Sequence, residues 1–96
     1  MVGSRYVVSE PVRHAVAELA WLTGQHGWVS RTCWEMALYG SLTTTAERAW
    51  WRLLDRLGRY GVPADSRGTE DRVEVRLAWT PADVERWARG EEVGRG

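Results

Sequence analysis

Four residue types are missing from this chain of 96 residues, namely Lys, Ile, Asn and Phe. AT-rich codons encode all four, so a GC-rich bacterial genome accounts for their absence without any selection for function. As a result, every one of the thirteen basic residues is Arg. Guanidinium groups suit phosphate binding, but a bias that base composition explains is only weak evidence for that role.

Cysteine and long apolar runs are also scarce. The single cysteine, Cys33, excludes an internal disulfide and fits a reducing compartment. Its position inside a predicted helix indicates a buried small hydrophobic residue rather than a reactive thiol. No apolar run approaches the length that spans a membrane, and the N-terminus lacks the pattern of a signal peptide. We therefore expect a cytoplasmic protein that has no membrane partner.

Residues that usually carry catalysis or bind metal are few. His14 and His26 are the only histidines, and together with one cysteine they give no zinc-ligand spacing. No nucleophile–base pair, phosphate-cradling glycine loop or pair of acids stands out. We expect the protein to have no metal site, no cofactor and no enzymatic activity.

The chain does have enough apolar residues for one packed domain. Hydrophobic residues make up 44% of it, and its length predicts a single domain over residues 1–96 with a core over about residues 10–90. The net charge is zero, but residues 43–60 hold four Arg against Glu47 and Asp55, a local excess of +2. Because a neutral protein lacks the overall field that steers nucleic-acid binders, any contact with DNA must be local.

Two helices are predicted in the first half of the chain. Ser9 is a plausible N-cap for the first, which has Pro11 in its first turn and carries Trp21 opposite its apolar side. Ser30 is the plausible N-cap of the second helix, and the broad apolar face of that helix indicates that other helices cover it on both sides. The preceding segment, residues 5–8, is predicted to be a short strand or an ordered arm.

A third helix has the clearest pattern in the sequence. Thr44 and Glu47 have the spacing of a capping box. At 100° per residue, one side of this helix is apolar and consists of Ala46, Ala49, Trp50, Leu53, Leu57 and Tyr60. The other side carries the arginine stripe, Arg48, Arg52 and Arg59, with Trp51 at its edge. The stripe could contact DNA, or Arg48 or Arg52 could simply pair with Asp55 on a solvated face.

Two strands and a short helix are predicted to follow. An edge strand can start at residues 62–64, because Pro63 removes a donor from the ladder. After a polar tip over residues 67–71, apolar and polar residues alternate from Arg72 to Trp79, which predicts a half-buried strand. Thr80-Pro81-x-Asp83 then predicts the start of a last helix.

This order of elements resembles the winged helix-turn-helix family and is similar in layout to MarR-like and PadR-like bacterial regulators. Two segments carry the resemblance: AERAWWRLLDRLGRYGV, a helix running into a Gly-Val strand, and RVEVRLAWTPAD, a strand passing into a helix through Thr-Pro. The resemblance implies an α+β fold of three helices, a two-stranded β-hairpin wing and a C-terminal helix. It also implies that the third helix enters the major groove of double-stranded DNA. The residues that would then face DNA are Thr43, Thr44, Thr45, Arg48 and Arg52, with Arg67 and Arg72 near the wing.

Tryptophan is unusually abundant, with seven residues. Trp34, Trp50, Trp79 and Trp87 are predicted to lie in the core. Trp21 and Trp51 lie on polar helix faces, which favours an interface with a second copy or a partner protein, although neighbouring elements could also cover them.

Two functions therefore remain open. The first is a DNA-binding transcriptional regulator, acting without cofactor as a homodimer on a two-fold site. The second is a protein-interaction or dimerisation module of the same fold that does not bind DNA. The zero net charge, the acidic wing tip at Glu70 and Asp71, and the outward tryptophans Trp21 and Trp51 favour the second function.

Overall fold

The protein combines four helices with a small three-stranded antiparallel sheet in the computed structural model, which describes residues 8–93. The predicted α+β class is confirmed. Of the arm predicted over residues 5–8, residues 5–7 lie outside the described residues. The elements in chain order are α1 (Glu10–His26), β1 (Val29–Ser30), α2 (Arg31–Tyr39), α3 (Thr44–Arg59), β2 (Ala64–Arg67), a 3₁₀ turn (Glu70–Arg72), β3 (Glu74–Leu77) and α4 (Pro81–Ala88).

The sheet has one strand more than the two that the sequence predicts. Val29 pairs with Val75 and Ser30 with Glu74, so β1 joins β3 on the side opposite β2, and the strand order is β1-β3-β2. A strand of two residues is too short to show a period of two in the sequence. The central place of β3 explains why its alternation is the clearest in the chain, since Val75 and Leu77 are both buried.

The caps of the helices agree with the sequence, with one shift. Ser30 Oγ accepts a hydrogen bond from Cys33 N, and Thr80 with Asp83 forms the capping box that starts α4. At α3, however, the predicted box of Thr44 with Glu47 is wrong, because Thr43 is the N-cap and accepts from Ala46 N at 3.1 Å. Three consecutive threonines offer similar caps to the backbone. Because the three caps are similar, packing decides between them, and the start that the helix adopts is the one that buries Ala46 in the core.

The core lies where the apolar sides of α1, α2 and α3 meet the inner face of β3. As predicted, α3 contributes Ala46, Trp50, Leu53 and Leu57, all of them buried. The rings of Trp34 and Trp50 lie at its centre, with their centroids 5.7 Å apart. The N–H of the Trp34 indole donates to Ala15 O at 3.2 Å, whereas that of Trp50 is buried and has no hydrogen-bond partner among residues 8–93.

One charged residue is fully buried, a feature that the sequence pattern did not indicate. Glu35 of α2 has no exposed surface, and its Oε2 atom accepts from Arg31 Nη1 at 2.8 Å. The two residues are four apart on one helix, so the pair forms within a single turn. The other carboxylate oxygen of Glu35 has no partner in the described part of the chain.

The prediction that other helices cover α2 on both sides is wrong, because one side of α2 is open to solvent. Met36 and Tyr39 are about half exposed, at 50% and 45%. The rings of Tyr39 and Trp34 meet edge-on with their centroids 6.0 Å apart, so the inner side of Tyr39 still packs on the core. The apolar breadth of α2 thus reflects one packed side and one open side.

The two central tryptophans give a matched test of hydrogen bonding in the core. Replacing either by Phe removes a similar volume, but Trp34→Phe also removes a hydrogen bond, while Trp50→Phe removes an unpaired buried donor. Because an unsatisfied buried polar group costs about 1–3 kcal/mol, we expect Trp34→Phe to lower the free energy of unfolding by at least about 1 kcal/mol more than Trp50→Phe. Urea unfolding followed by far-UV circular dichroism measures this difference. Equal losses would show that the Trp50 N–H is satisfied in solution.

Candidate nucleic-acid interface

The outward face of α3 carries most of the residues that the sequence assigned to DNA. Thr44, Thr45, Arg48 and Arg52 are all exposed, because the apolar stripe on the opposite side of the helix is buried in the core. The N–H groups of Thr44 and Thr45 lie in the first turn, where a helix leaves its N–H groups without an intrahelical acceptor. Thr43 is exposed too, but its hydroxyl oxygen already caps the helix. The helix dipole makes this exposed end of α3 positively polarised. The carboxylate of Glu47, exposed in the same turn, offsets part of that charge.

Ion pairing divides the arginines into two groups. Of the eleven arginines within residues 8–93, seven pair with a carboxylate. The remaining four have no carboxylate partner among the side chains that the structure describes, and three of them lie on α3; they are Arg48, Arg52, Arg56 and Arg72. The unpaired guanidinium groups are thus concentrated on α3, with one at the turn between β2 and β3.

Asp55 pairs with Arg59, one of the three arginines of the stripe, and not with Arg48 or Arg52 as the sequence allowed. Its Oδ2 atom lies 2.9 Å from Nε of Arg59, one turn further along the helix. Arg48 and Arg52, in the first half of α3, keep all their donors available to a ligand. Arg52 and Arg56 also line a small cleft between α1, α2 and α3 whose walls are mainly apolar, including Val12, Leu38 and Leu53.

The hairpin formed by β2 and β3 ends in a tight turn. Arg67 pairs with Glu74 in the ladder, and Gly68 adopts a φ of 88° directly after it. A Cβ at Gly68 would lie 2.3 Å from the carbonyl oxygen of Arg72, so only glycine fits there. Arg72 is exposed beyond this turn, close in sequence to Glu70, which is exposed as well. The tip therefore presents both signs of charge.

Arg67 is held within the protein, unlike Arg72. Its Nε atom donates to Glu74 Oε1 at 2.8 Å, and its guanidinium carbon lies 4.4 Å from the ring centroid of Trp28. Arg76 approaches the same ring at 4.5 Å and pairs with Asp65. We call these five residues the Trp28 cluster. A ligand that binds Arg67 must compete with Glu74 and Trp28.

The sequence did not assign a role to Trp28. It directly precedes β1, and the register of β1 with β3 continues to place Trp28 beside Arg76. Because β1 was not predicted, no pattern linked residue 28 to residue 76. The pairing of Arg67 with Glu74 and of Asp65 with Arg76 comes from the antiparallel register of β2 with β3, which the sequence did not predict either.

The two tryptophans assigned to an interface are exposed on different helices. Trp21 is 52% exposed on α1 and Trp51 is 38% exposed on α3, and neither joins the core cluster. Leu42, in the turn between α2 and α3, is exposed too, as are the outer sides of Met36 and Tyr39. The sequence did not indicate that Met36 and Tyr39 are exposed, because apolar residues on a broadly apolar helix are expected to lie in the core.

Other kinds of site find little support in the described residues. Within residues 8–93, no three His, Cys, Asp or Glu side chains form a group that could hold a metal ion. Cys33 is partly buried, and this burial raises the pKa of its thiol, which disfavours the reactive thiolate. None of the helices between residues 8 and 93 has both the length and the apolar character needed to cross a bilayer.

Comparison of the chain with protein-family models, with curated proteins and with solved structures gave no match. The candidate interface therefore depends on the geometry and charge of this chain alone.

The Trp28 cluster gives a prediction for the stability of the hairpin. Trp28→Ala removes two contacts between a guanidinium and an aromatic ring, each worth about 0.5–1 kcal/mol at a partly exposed site. We expect the free energy of unfolding in urea to fall by about 1–2 kcal/mol. Trp28→Phe, which keeps an aromatic ring at the same position for the two guanidinium groups, should lose less than Trp28→Ala. Equal losses in the two variants would contradict the role given to the cluster.

Proposed function

We propose that this protein is a small DNA-binding regulator with a winged helix-turn-helix fold. In this assignment α3 enters the major groove and the β2–β3 hairpin is the wing that lies on the DNA backbone. The element order, with three helices, a hairpin and a final helix, supports it. So does the short strand β1, which ties the start of α2 to the hairpin and so joins the wing to the helical part.

The observation that carries the proposal is the set of unpaired arginines on α3. A solvated helix face of a neutral protein would be expected to pair its arginines locally, as Arg59 and the arginines of α1 and α4 do. Arg48 and Arg52 instead stay exposed and without a carboxylate partner in residues 8–93. Their position beside the positive N-terminus of α3 gives a local cationic surface on a chain whose net charge is zero.

Each residue of this surface has a role in the proposal. The N–H groups and hydroxyls of Thr44 and Thr45 bind a phosphate at the helix N-terminus, and Thr43 holds that end in place as its cap. Arg48 and Arg52 contact guanine edges or phosphates in the major groove. Arg72 contacts the backbone from the wing, and Arg67 contributes only if it leaves Glu74.

A homodimer on a two-fold site completes the proposal. Trp21, the most exposed tryptophan of the described residues, lies on α1 and not on the helix that carries the cationic face. An exposed tryptophan is a typical anchor of a protein interface. In the dimer that we propose, Trp21 is buried between subunits while both α3 helices stay free for DNA.

A second candidate function is a protein-interaction module that does not bind DNA. The open side of α2 favours it, because Met36, Tyr39 and Leu42 expose apolar surface next to α3. The exposed Glu70 at the hairpin tip favours it as well, since a carboxylate there repels phosphate. A chain with this function would bind a partner through α2 and show no salt-dependent affinity for DNA.

The salt dependence of DNA binding separates these functions. We expect the full chain to bind a fluorescent duplex at low salt, and the double variant Arg48→Ala/Arg52→Ala to bind more weakly. The slope of log K against log salt should fall by about one unit for each of the two arginines that contacts a phosphate. Fluorescence anisotropy at a series of salt concentrations measures both quantities.

The double variant Arg86→Ala/Arg89→Ala is the matched control. It also removes two positive charges, but from two exposed arginines at the C-terminal end of α4 and just beyond it, which pair with Asp83 and Glu91. We expect its affinity to stay within about twofold of that of the unaltered chain. Equal losses in both variants would mean a non-specific charge effect and contradict the assignment of α3. Absence of binding, together with a stable complex with a protein partner, would support the second candidate.

A further inference from the structure

Trp51 occupies an unusual position on α3. Its sequence neighbour Trp50 is completely buried, whereas Trp51 keeps 38% of its surface exposed and lies outside the core cluster. Residues three apart on a helix are surface neighbours, so the indole lies next to Arg48, and Arg52 follows it directly in the chain. No ring or guanidinium contact involves this indole among residues 8–93. A large apolar group thus lies within the cationic face that the proposed function turns toward DNA.

The chemistry of the major groove limits what an indole there can recognise. Most features of the base edges in this groove are hydrogen-bond donors and acceptors, which the arginines and threonines of α3 match. The C5-methyl group of thymine is the apolar feature of the groove, and apolar side chains contact it. An indole placed against polar base edges would lose hydration without compensation, but against a thymine methyl group it gains apolar contact.

We infer that Trp51 is a specificity determinant that selects a thymine beside the guanine contacted by Arg48. This inference depends on the proposed function, because it assigns a role within the same DNA-binding face. Arg48 and Trp51 are separated by about 4.5 Å along the helix axis, since each residue rises about 1.5 Å. Successive base pairs are about 3.4 Å apart. The guanine and the thymine therefore lie on adjacent base pairs or one step further apart.

The methyl group can be removed from the DNA without changing its base pairing, because deoxyuridine pairs as thymidine does. Burial of one methyl group corresponds to about a fourfold change in affinity. We therefore expect one or two uracil substitutions in a bound duplex to weaken binding about fourfold each. Substitutions at the other thymines should leave the affinity unchanged. This ratio of affinities for thymine and uracil is measured within one protein variant, so it does not depend on how much that variant folds or dimerises.

The experiment uses the full chain and a duplex that the chain itself selects from a randomised pool. Each thymine of the selected duplex is replaced by uracil in turn, and the dissociation constants are measured by anisotropy. The same series is repeated with Trp51→Ala, for which the fourfold ratio should fall to about one. Trp51→Leu, which keeps an apolar side chain, should retain part of the ratio. The Arg86→Ala/Arg89→Ala variant, altered in and just after α4, should retain all of it.

Several results would overturn the inference. A selected duplex that binds equally well with every thymine replaced would exclude a methyl contact while leaving the proposed function intact. A ratio that persists in Trp51→Ala would assign the contact to another residue. If Trp51→Ala instead halves the oligomeric mass and leaves the ratio unchanged, Trp51 belongs to a protein interface. If no duplex binds, both the proposed function and this inference are wrong.

Discussion

Because one side of α3 is buried in the core, the directions of all its other side chains are determined. Ala46, Trp50, Leu53 and Leu57 pack into the core, and each large side chain among them contributes about 1.5–3 kcal/mol when it leaves water. Exposed ion pairs contribute at most about 1 kcal/mol. The apolar stripe therefore fixes the rotation of α3 about its axis, and the arginines take the positions that remain. Whatever those arginines bind, they do not orient the helix.

The protein has no excess of either charge, and many of its charged side chains form ion pairs. Five acids of α1, α4 and the hairpin pair with arginines, namely Glu10, Glu85, Asp83, Asp65 and Glu74. In the first half of α3, Arg48 and Arg52 form no ion pair with a described carboxylate, although the exposed Glu47 precedes Arg48. A chain with a net charge of zero can in this way keep one cationic surface. Its reach is limited to about 10 Å at ordinary salt, so it acts at contact distance and not by long-range steering.

Sequence patterns predicted those parts of the fold that depend on interactions between residues close together in the chain. The 3.6-residue period gave the buried side of α3, the two-residue period gave β3, and Thr80 with Asp83 gave the start of α4. The exposed arginine stripe followed directly from the first of these. Even so, the cap of α3 was misplaced by one residue, because Thr43, Thr44 and Thr45 are chemically equivalent.

Features that depend on contacts between distant segments could not be predicted. The pairing of Val29 with Val75 joins residues that are far apart in the chain, and the contacts of Trp28 follow from it. The burial of Glu35 depends on which side of α2 the core covers, and a broad apolar pattern does not specify that side. The exposure of Met36 and Tyr39 has the same cause. The candidate site was thus predicted in its α3 part and incompletely in its hairpin part.

The outer strand of the sheet limits the ways in which copies of this protein can associate. All four residues of β2 are exposed, and an exposed strand edge is a template for sheet extension between molecules. Pro63 stands just before it, and the side chains of Asp65 and Arg67 are drawn toward β3 by their ion pairs. Proline and charge at an edge are the means by which natural sheets discourage such joining. The β2 edge is therefore a poor place for the sheet to extend into a second molecule.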